Sequence, residues 1–244
     1  MKKIFYLSIA VALLAIAQGC SIQNESVVSA KEISNFNICL ILDGTDRLSN
    51  QNGVPQVTVA DMEDLAKSLA SCGNGTLYVS YVDKDCDNNQ VAVFSNELQK
   101  PEEPGKKKDY QTLDEYNSIK ANYEDMKQAY SAHLENAVSL FAADCSRITK
   151  LAYSDIVAKT KKGSDVNGAI NQANRLLKAS LQDCQCAYII LVSDGCDNVG
   201  KELKSWPETT ELLIVNTNVS KHHYSDLVSH EFVTLRQVSN YIFK

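Results

Sequence analysis

The 244-residue chain has little tryptophan, proline and histidine, with one, four and four residues of each. It also lacks an excess of positive charge, because 24 basic residues face 30 acidic ones and the net charge is −6. Without a basic surplus to neutralise phosphates, nucleic acid is not an expected partner. The apolar share of 44% is sufficient for a globular core.

Motifs of several enzyme classes are missing as well. The sequence has no G-x-S-x-G nucleophile elbow, no phosphate-binding P-loop and no H-E-x-x-H zinc motif. His222 and His223 are adjacent, so they cannot chelate a metal as histidines one helical turn apart do. Because no nucleophile and base are paired in any motif, we expect a protein that is not an enzyme.

The first twenty residues differ from the rest. Lys2 and Lys3 precede an almost unbroken apolar run over residues 4–17. This run is short for a membrane-spanning helix but typical of the hydrophobic segment of a signal peptide. The alternative is an ordinary signal peptide that is followed by a cysteine, Cys20, by chance.

The residues AQGC at positions 17–20 resemble a bacterial lipobox, whose cysteine receives lipid before cleavage. The resemblance implies a signal peptide over residues 1–19, lipid on Cys20 and a polar tether over residues 20–34. We therefore expect a lipid-anchored protein of the bacterial cell envelope. Ser21 favours the outer membrane, and the membrane face stays open.

Eight cysteines are present. With Cys20 assigned to lipid, the remaining number is odd, so at least one thiol is free or paired between chains. Cys39 lies in an apolar run and is predicted to be a small buried residue. The disulfide connectivity stays open.

Strand-like and helix-like segments alternate beyond residue 35. Continuous apolar runs such as residues 37–42 are typical of parallel strands covered on both faces. The alternation predicts an α/β fold with a doubly wound, mostly parallel central sheet flanked by helices. Strands are predicted at 37–42, 76–82, 91–94, 187–192, 212–215 and 231–235, and helices at 58–72, 113–157, 166–181 and the C-terminus.

Residues 97–150 are predicted to be a loop and a long helical insertion, formed by one helix or two consecutive helices. The turn after the second strand contains the pattern D-x-D-x-N, beginning at Asp85, as calcium loops do, but it lacks the glycine and terminal glutamate of an EF-hand. We interpret it as a hairpin turn.

Three polar segments follow or precede the predicted elements at one sheet edge: DGTDR at 43–47, GSD at 163–165 and SDGCDN at 193–198. In doubly wound sheets, ligands bind beyond the carboxyl ends of the strands. Together the segments resemble the metal-ion-dependent adhesion site of von Willebrand factor A domains. The resemblance covers residues 35–244.

This resemblance implies metal ligation by Asp43, Thr45, Ser164 and Asp194. The ion would be Mg²⁺, or alternatively Ca²⁺ or Mn²⁺. Magnesium takes about six oxygens and usually keeps several waters, so a carboxylate from a protein partner can complete its shell. Each ligand also has an ordinary structural alternative: a turn or a cap, such as Ser164 capping the following helix.

The sequence departs from the family pattern at Arg47, where a second serine is expected. An arginine cannot ligate a cation, but it can form an ion pair that replaces the metal. Asp46 can compensate by ligating the metal or by pairing with Arg47. We therefore treat Asp46 and Arg47 as modulators of the predicted site.

The same segments also resemble the D-x-D-G-T and G-D-G-x-N-D motifs of haloacid dehalogenase-type phosphohydrolases. The nucleophile of those enzymes falls on Ile41, which cannot form an aspartyl-phosphate.

The sequence leaves three functional hypotheses. The first is a membrane-anchored binding or adhesion module for a protein partner. The second is a metal-independent assembly lipoprotein that binds through the helical insertion, and the third is a remote phosphohydrolase relative without its nucleophile. The partner and the oligomeric state stay open.

Overall fold

The computed structural model describes residues 34–44, 53–96, 100–153, 163–180, 186–205, 207–216, 224 and 226–244. Thr45, Asp46 and Arg47 lie outside these residues, as do the predicted signal peptide, Cys20 and the tether up to residue 33. Residues 33–244 form one compact unit.

The described residues contain six strands and four helices in alternating blocks. Their bounds are β1 (Ser34–Leu42), α1 (Val59–Cys72), β2 (Gly73–Tyr81), β3 (Ala92–Asn96), α2 (Leu113–Tyr153), α3 (Val166–Ser180), β4 (Cys186–Val192), β5 (Thr210–Val215), β6 (His230–Phe232) and α4 (Leu235–Ile242).

The strands form one sheet in the order β3-β2-β1-β4-β5-β6. Every neighbouring pair is parallel except β2 and β3, which form an antiparallel hairpin. The predictions of an α/β protein with a mostly parallel sheet and of a hairpin after β2 are confirmed. β2 and β3 lie on one side of β1, whereas β4, β5 and β6 lie on its other side, so the strand order reverses between β1 and β4.

Alternate residues of β1 enter two separate cores. Ile38, Leu40 and Leu42 pack on the face covered by α1, α2 and α4, whereas Cys39 and Ile41 pack on the face covered by α3. All five are fully buried. Coverage of both faces explains why this strand is apolar without interruption.

Local sequence signals set the helix boundaries. Thr58 caps α1 through a capping box with Asp61, and Thr234 caps α4 in the same way with Gln237. The region from Leu113 forms a single helix of 41 residues. No helix among the described residues has the length and hydropathy needed to cross a bilayer.

The C-terminal part of α2 closely approaches Gly44, the second residue after β1. Its buried residues run from Val138 to Ala152. Any side chain at Gly44 would overlap the carbonyl group of Ala152, so only glycine permits this approach. The end of α2 therefore packs against the backbone directly after Asp43.

Candidate functional site

The loops after β1 and β4 meet at the sheet edge where strand order reverses. The backbone N–H of Asp43 donates to the carbonyl of Val192 at 3.0 Å. The hydroxyl of Ser193 donates to Oδ2 of Asp43 at 2.6 Å. Asp43 is 1% exposed and Ser193 is fully buried, so this bond holds the carboxylate in one orientation.

Ser193 also organises its own loop. Its hydroxyl accepts from the N–H of Gly195 at 2.9 Å, and its carbonyl accepts from the side-chain amide of Asn216 at 3.1 Å. Asn216 directly follows β5 and is buried. Three neighbouring parallel strands thus each contribute a polar residue to the same edge.

Asp194 is the more accessible carboxylate of the edge. It is half-buried, and its Oδ1 accepts from the N–H of Cys196 at 2.9 Å. Gly195 has a φ of 72°, a left-handed conformation that side chains rarely adopt. The sharp turn at Gly195 places Asp194 next to Ser193, on the solvent-facing side of this sheet edge.

Ser164 lies in the third predicted segment, and this segment contacts the loop after β4. The carbonyl of Ser164 accepts from the N–H of Asn198 at 3.0 Å. Asp165, and not Ser164, caps α3, because its Oδ1 accepts from the N–H of Gly168 at 2.9 Å. The capping alternative for Ser164 is therefore wrong.

Asp165 is fully buried and is neutralised by a lysine. Nζ of Lys201 lies 2.8 Å from Oδ2 of Asp165, 2.8 Å from Oδ1 of Asp85 and 3.0 Å from Oδ2 of Asp87. Asp165 also accepts from the N–H of Cys86 at 3.0 Å. The acidic turn after β2, which resembles the start of a calcium loop, thus surrounds an ammonium group of the chain itself.

The N-terminus of α3 gathers further polar groups. Asp197 accepts from the N–H of Asn167 at 3.1 Å, and the hydroxyl of Tyr224 donates to Oδ1 of Asn167 at 2.6 Å. Burial raises the pKa of Tyr224, and the charges of Asp197, Asp43 and Asp165 raise it further. The raised pKa of this phenol therefore reflects its burial first and the neighbouring carboxylates second.

The structure thus brings together the loops that carry Asp43, Ser164 and Asp194. Thr45, Asp46 and Arg47 lie outside the described residues. Within the part of the chain that is described, no three His, Cys, Asp or Glu side chains are arranged to hold a metal ion. The predicted ligand set contains only two carboxylates, so hydroxyl groups and water would have to supply its other oxygens.

Comparison with known proteins gives no family for the chain. No protein-family model matches it, and no curated protein is significantly similar to it. The arrangement of its own residues is therefore the basis for any functional assignment.

Sequence reasoning did not assign four residues that shape this edge. Asn216 follows a strand directly, so the rule that led to Asp43 would also have found it. Ser193 lies within the SDG segment that was recognised for Asp194. Lys201 and Tyr224 reach the site from loops without a strand-end signal, and nothing in their local sequence indicates a role.

Proposed function

We propose that the protein is a binding module of the von Willebrand factor A type, anchored to the cell envelope and recognising a protein partner. The observation that carries this proposal is the junction of the loops bearing Asp43, Ser164 and Asp194 at the carboxyl edge of β1 and β4. In a doubly wound sheet this reversal point is where ligands bind. The strand order, with one antiparallel edge strand, supports the family assignment.

The chemistry of these side chains fits a hard divalent cation. Asp43 and Asp194 supply carboxylates, and Ser164 and Thr45 supply hydroxyl groups. Each carboxylate oxygen has more than one acceptor site, so the bond from Ser193 orients Asp43 without preventing ligation. Magnesium, or calcium or manganese in its place, would supply a positive charge to which a partner's carboxylate can bind.

The proposal describes binding without catalysis. Ile41, which would have to be the nucleophile of a phosphohydrolase, is fully buried in the core beneath α3. Hydrolysis of a panel of phosphate esters by the purified chain, lost in Asp43→Asn, would contradict this part of the proposal.

Attachment to the envelope rests on the lipobox-like residues around Cys20. Lipid on this cysteine anchors a protein without a spanning helix. Cys20→Ser should move the protein from the membrane fraction to the soluble fraction and abolish incorporation of labelled fatty acid. Membrane association that survives the substitution would contradict the lipid anchor.

The metal site is tested by magnesium titration of the EDTA-treated chain. Magnesium at roughly one hundred times its Kd should raise the melting temperature by about 5–10 °C. Asp43→Asn and Asp194→Asn should remove the rise, whereas Asp125→Asn, on the exposed part of α2, should keep it. An equal rise in all three variants would place the ion elsewhere.

The partner is tested by retention of envelope proteins on the immobilised chain. A partner that binds through the metal should be retained with magnesium, released by EDTA and absent from the Asp194→Asn column. Retention that is insensitive to EDTA and to Asp194→Asn would instead support the second candidate.

That second candidate is a metal-independent assembly lipoprotein that binds through α2. The observation in its favour is the solvent exposure of the first half of this helix. Its test must spare the C-terminal part, since Val138, Phe141, Cys145 and Ile148 are core residues. Deletion of residues 97–150 would remove all four and unfold the domain, so surface substitutions on α2 are the appropriate variants.

A further inference from the structure

The two ends of α2 lie at opposite ends of the domain. Ala152 approaches Gly44, which follows Asp43 at the carboxyl edge of the sheet. The hydroxyl of Tyr130 donates to the carbonyl of Ala70 at 3.1 Å, close to the end of α1. Because β2 begins directly after α1, Tyr130 lies at the level where the sheet starts. The 17 residues of α2 before Tyr130 therefore project about 26 Å beyond the sheet.

The chain enters the domain at the end from which α2 projects. β1 begins at Ser34, which pairs with Gly73, the residue directly after α1. Thirteen residues, 21–33, separate Cys20 from Ser34, and they span at most about 50 Å. If Cys20 carries lipid, the projecting half of α2 is therefore about half as long as the greatest distance between the bilayer and Ser34.

The tip of α2, residues 110–115, presents two large side chains to solvent. Tyr110 is 75% exposed and Leu113 is 63% exposed. A capping box fixes the start of the helix between them: the N–H of Thr112 donates to Oε2 of Glu115 at 2.8 Å, and the N–H of Glu115 donates to Oγ1 of Thr112 at 3.2 Å. Tyrosine is enriched at bilayer interfaces, where its ring is buried and its hydroxyl stays hydrated, and leucine is among the most favourable residues in the bilayer. This pair therefore fits a lipid surface.

The charges around the tip nearly cancel. Four lysines and five carboxylates lie between residues 100 and 115, so this region has no excess charge that would attract an anionic lipid or a strongly charged protein. The apolar groups of Tyr110 and Leu113 are then the basis of any contact. A neutral bilayer is the surface that matches this composition.

We propose that the tip of α2 rests on the bilayer through Tyr110 and Leu113, and that α2 is a strut between the membrane and the candidate site. The contact rests on the proposed lipid anchor at Cys20, which keeps the tip close to lipid. The helix from Leu113 to Ala152 is about 60 Å long. The strut therefore places the sheet edge that carries Asp43 about this far from the bilayer, on the side that faces away from the anchor.

Tryptophan quenching in the full lipidated chain tests the contact. The only tryptophan is first removed by Trp206→Phe, and a single tryptophan is then introduced by Leu113→Trp or by Leu140→Trp. These two leucines are matched, since they lie on the same helix and are 63% and 64% exposed, but they are about 40 Å apart. In phosphatidylcholine vesicles with brominated acyl chains, quenching at position 113 should be at least threefold stronger than at position 140. Equal quenching at the two positions would overturn the strut.

Trypsin cleavage after the exposed lysines 106–108 gives a second measurement. Cleavage should be at least tenfold slower for the lipidated chain on preformed vesicles than for Cys20→Ser in solution, because the bilayer blocks access to the tip. Leu113→Asp should remove this protection, whereas Leu140→Asp should keep it. Equal cleavage rates for these two variants on vesicles would overturn the contact.

Mass spectrometry of the N-terminal peptide separates the two proposals. A chain without lipid on Cys20 would contradict the anchor and, with it, the contact. A lipidated chain whose tip is neither quenched nor protected would overturn the strut alone, and it would leave the anchor and the metal site untouched.

Discussion

Ser193 and Asp43 are 150 residues apart in the chain, and their side chains share a buried hydrogen bond of 2.6 Å. The bond joins the ends of β4 and β1 at the edge where strand order reverses. Because both residues are almost inaccessible to solvent, neither side chain can exchange this bond for one to water. The orientation of the Asp43 side chain therefore depends on the pairing of β1 with β4.

Ser193→Ala removes this hydroxyl and leaves Asp43 and the N–H of Gly195 without a shared partner. We expect a loss of about 1–3 kcal/mol in the free energy of unfolding, since buried polar groups lose a hydrogen bond. Urea denaturation measures it. Ser71→Ala, whose hydroxyl lies on the exposed surface of α1, is the control and should cost less than about 0.5 kcal/mol. Equal midpoints for the two variants would mean that the bond contributes nothing.

Lys201→Met leaves the buried carboxylate of Asp165 without its cation. Breaking a buried ion pair costs about 3–5 kcal/mol, but the Lys201 side chain is 30% exposed, so we expect about 2–3 kcal/mol. Lys204→Met, at an exposed position three residues later, is the matched control. Thermal unfolding of both variants checks this, and a Lys201 variant as stable as the Lys204 variant would contradict it.

The same cluster predicts a pH dependence. Hydrogen bonds from Lys201 hold the pKa of Asp85 and Asp87 below the usual 3.8. Carboxylates with depressed pKa values stabilise the fold above that value and lose this effect as the pH falls through the folded-state pKa. The pKa of Lys201 is raised above 10.5, chiefly by its hydrogen bond to Asp165. The contribution of Lys201 to the stability of the fold is therefore fully present below pH 10.5 and is lost only at higher pH.

The stability difference between the unsubstituted chain and Lys201→Met should thus persist up to about pH 9 and should shrink as the pH falls toward about 4. Denaturation at a series of pH values measures the difference. A stability difference that grows on acidification would contradict a stabilising interaction between Lys201 and ionised carboxylates.

Thiol reactivity separates the buried from the exposed cysteines. Burial raises the pKa of Cys39, Cys86 and Cys145 to about 12, which lowers both the thiolate fraction and the access of reagents. Cys72 is exposed. Iodoacetamide at pH 8, followed by mass spectrometry, should modify Cys72 at least about tenfold faster than Cys39. Equal rates in the native protein would contradict the burial of β1.

Sequence patterns predicted the elements well where the environment is uniform. The apolar run through Leu42 predicted a covered strand correctly, because both of its faces are buried. At the start of α3 the sequence offered Ser164 as the alternative cap, but Asp165, which directly precedes the helix, caps it. Lys201 was not predicted because its three carboxylate partners lie on two distant segments that only the fold brings together.

The central claim is that the edge formed by Asp43, Ser164 and Asp194 holds a divalent cation. Electron paramagnetic resonance of Mn²⁺ added to the EDTA-treated full chain measures this directly, because bound Mn²⁺ loses the signal of the free hydrated ion. We expect one bound Mn²⁺ per chain, displaced by magnesium, with affinity at least about tenfold weaker in Asp43→Asn and in Asp194→Asn. An undiminished signal of free Mn²⁺, or unchanged binding in both variants, would contradict the account.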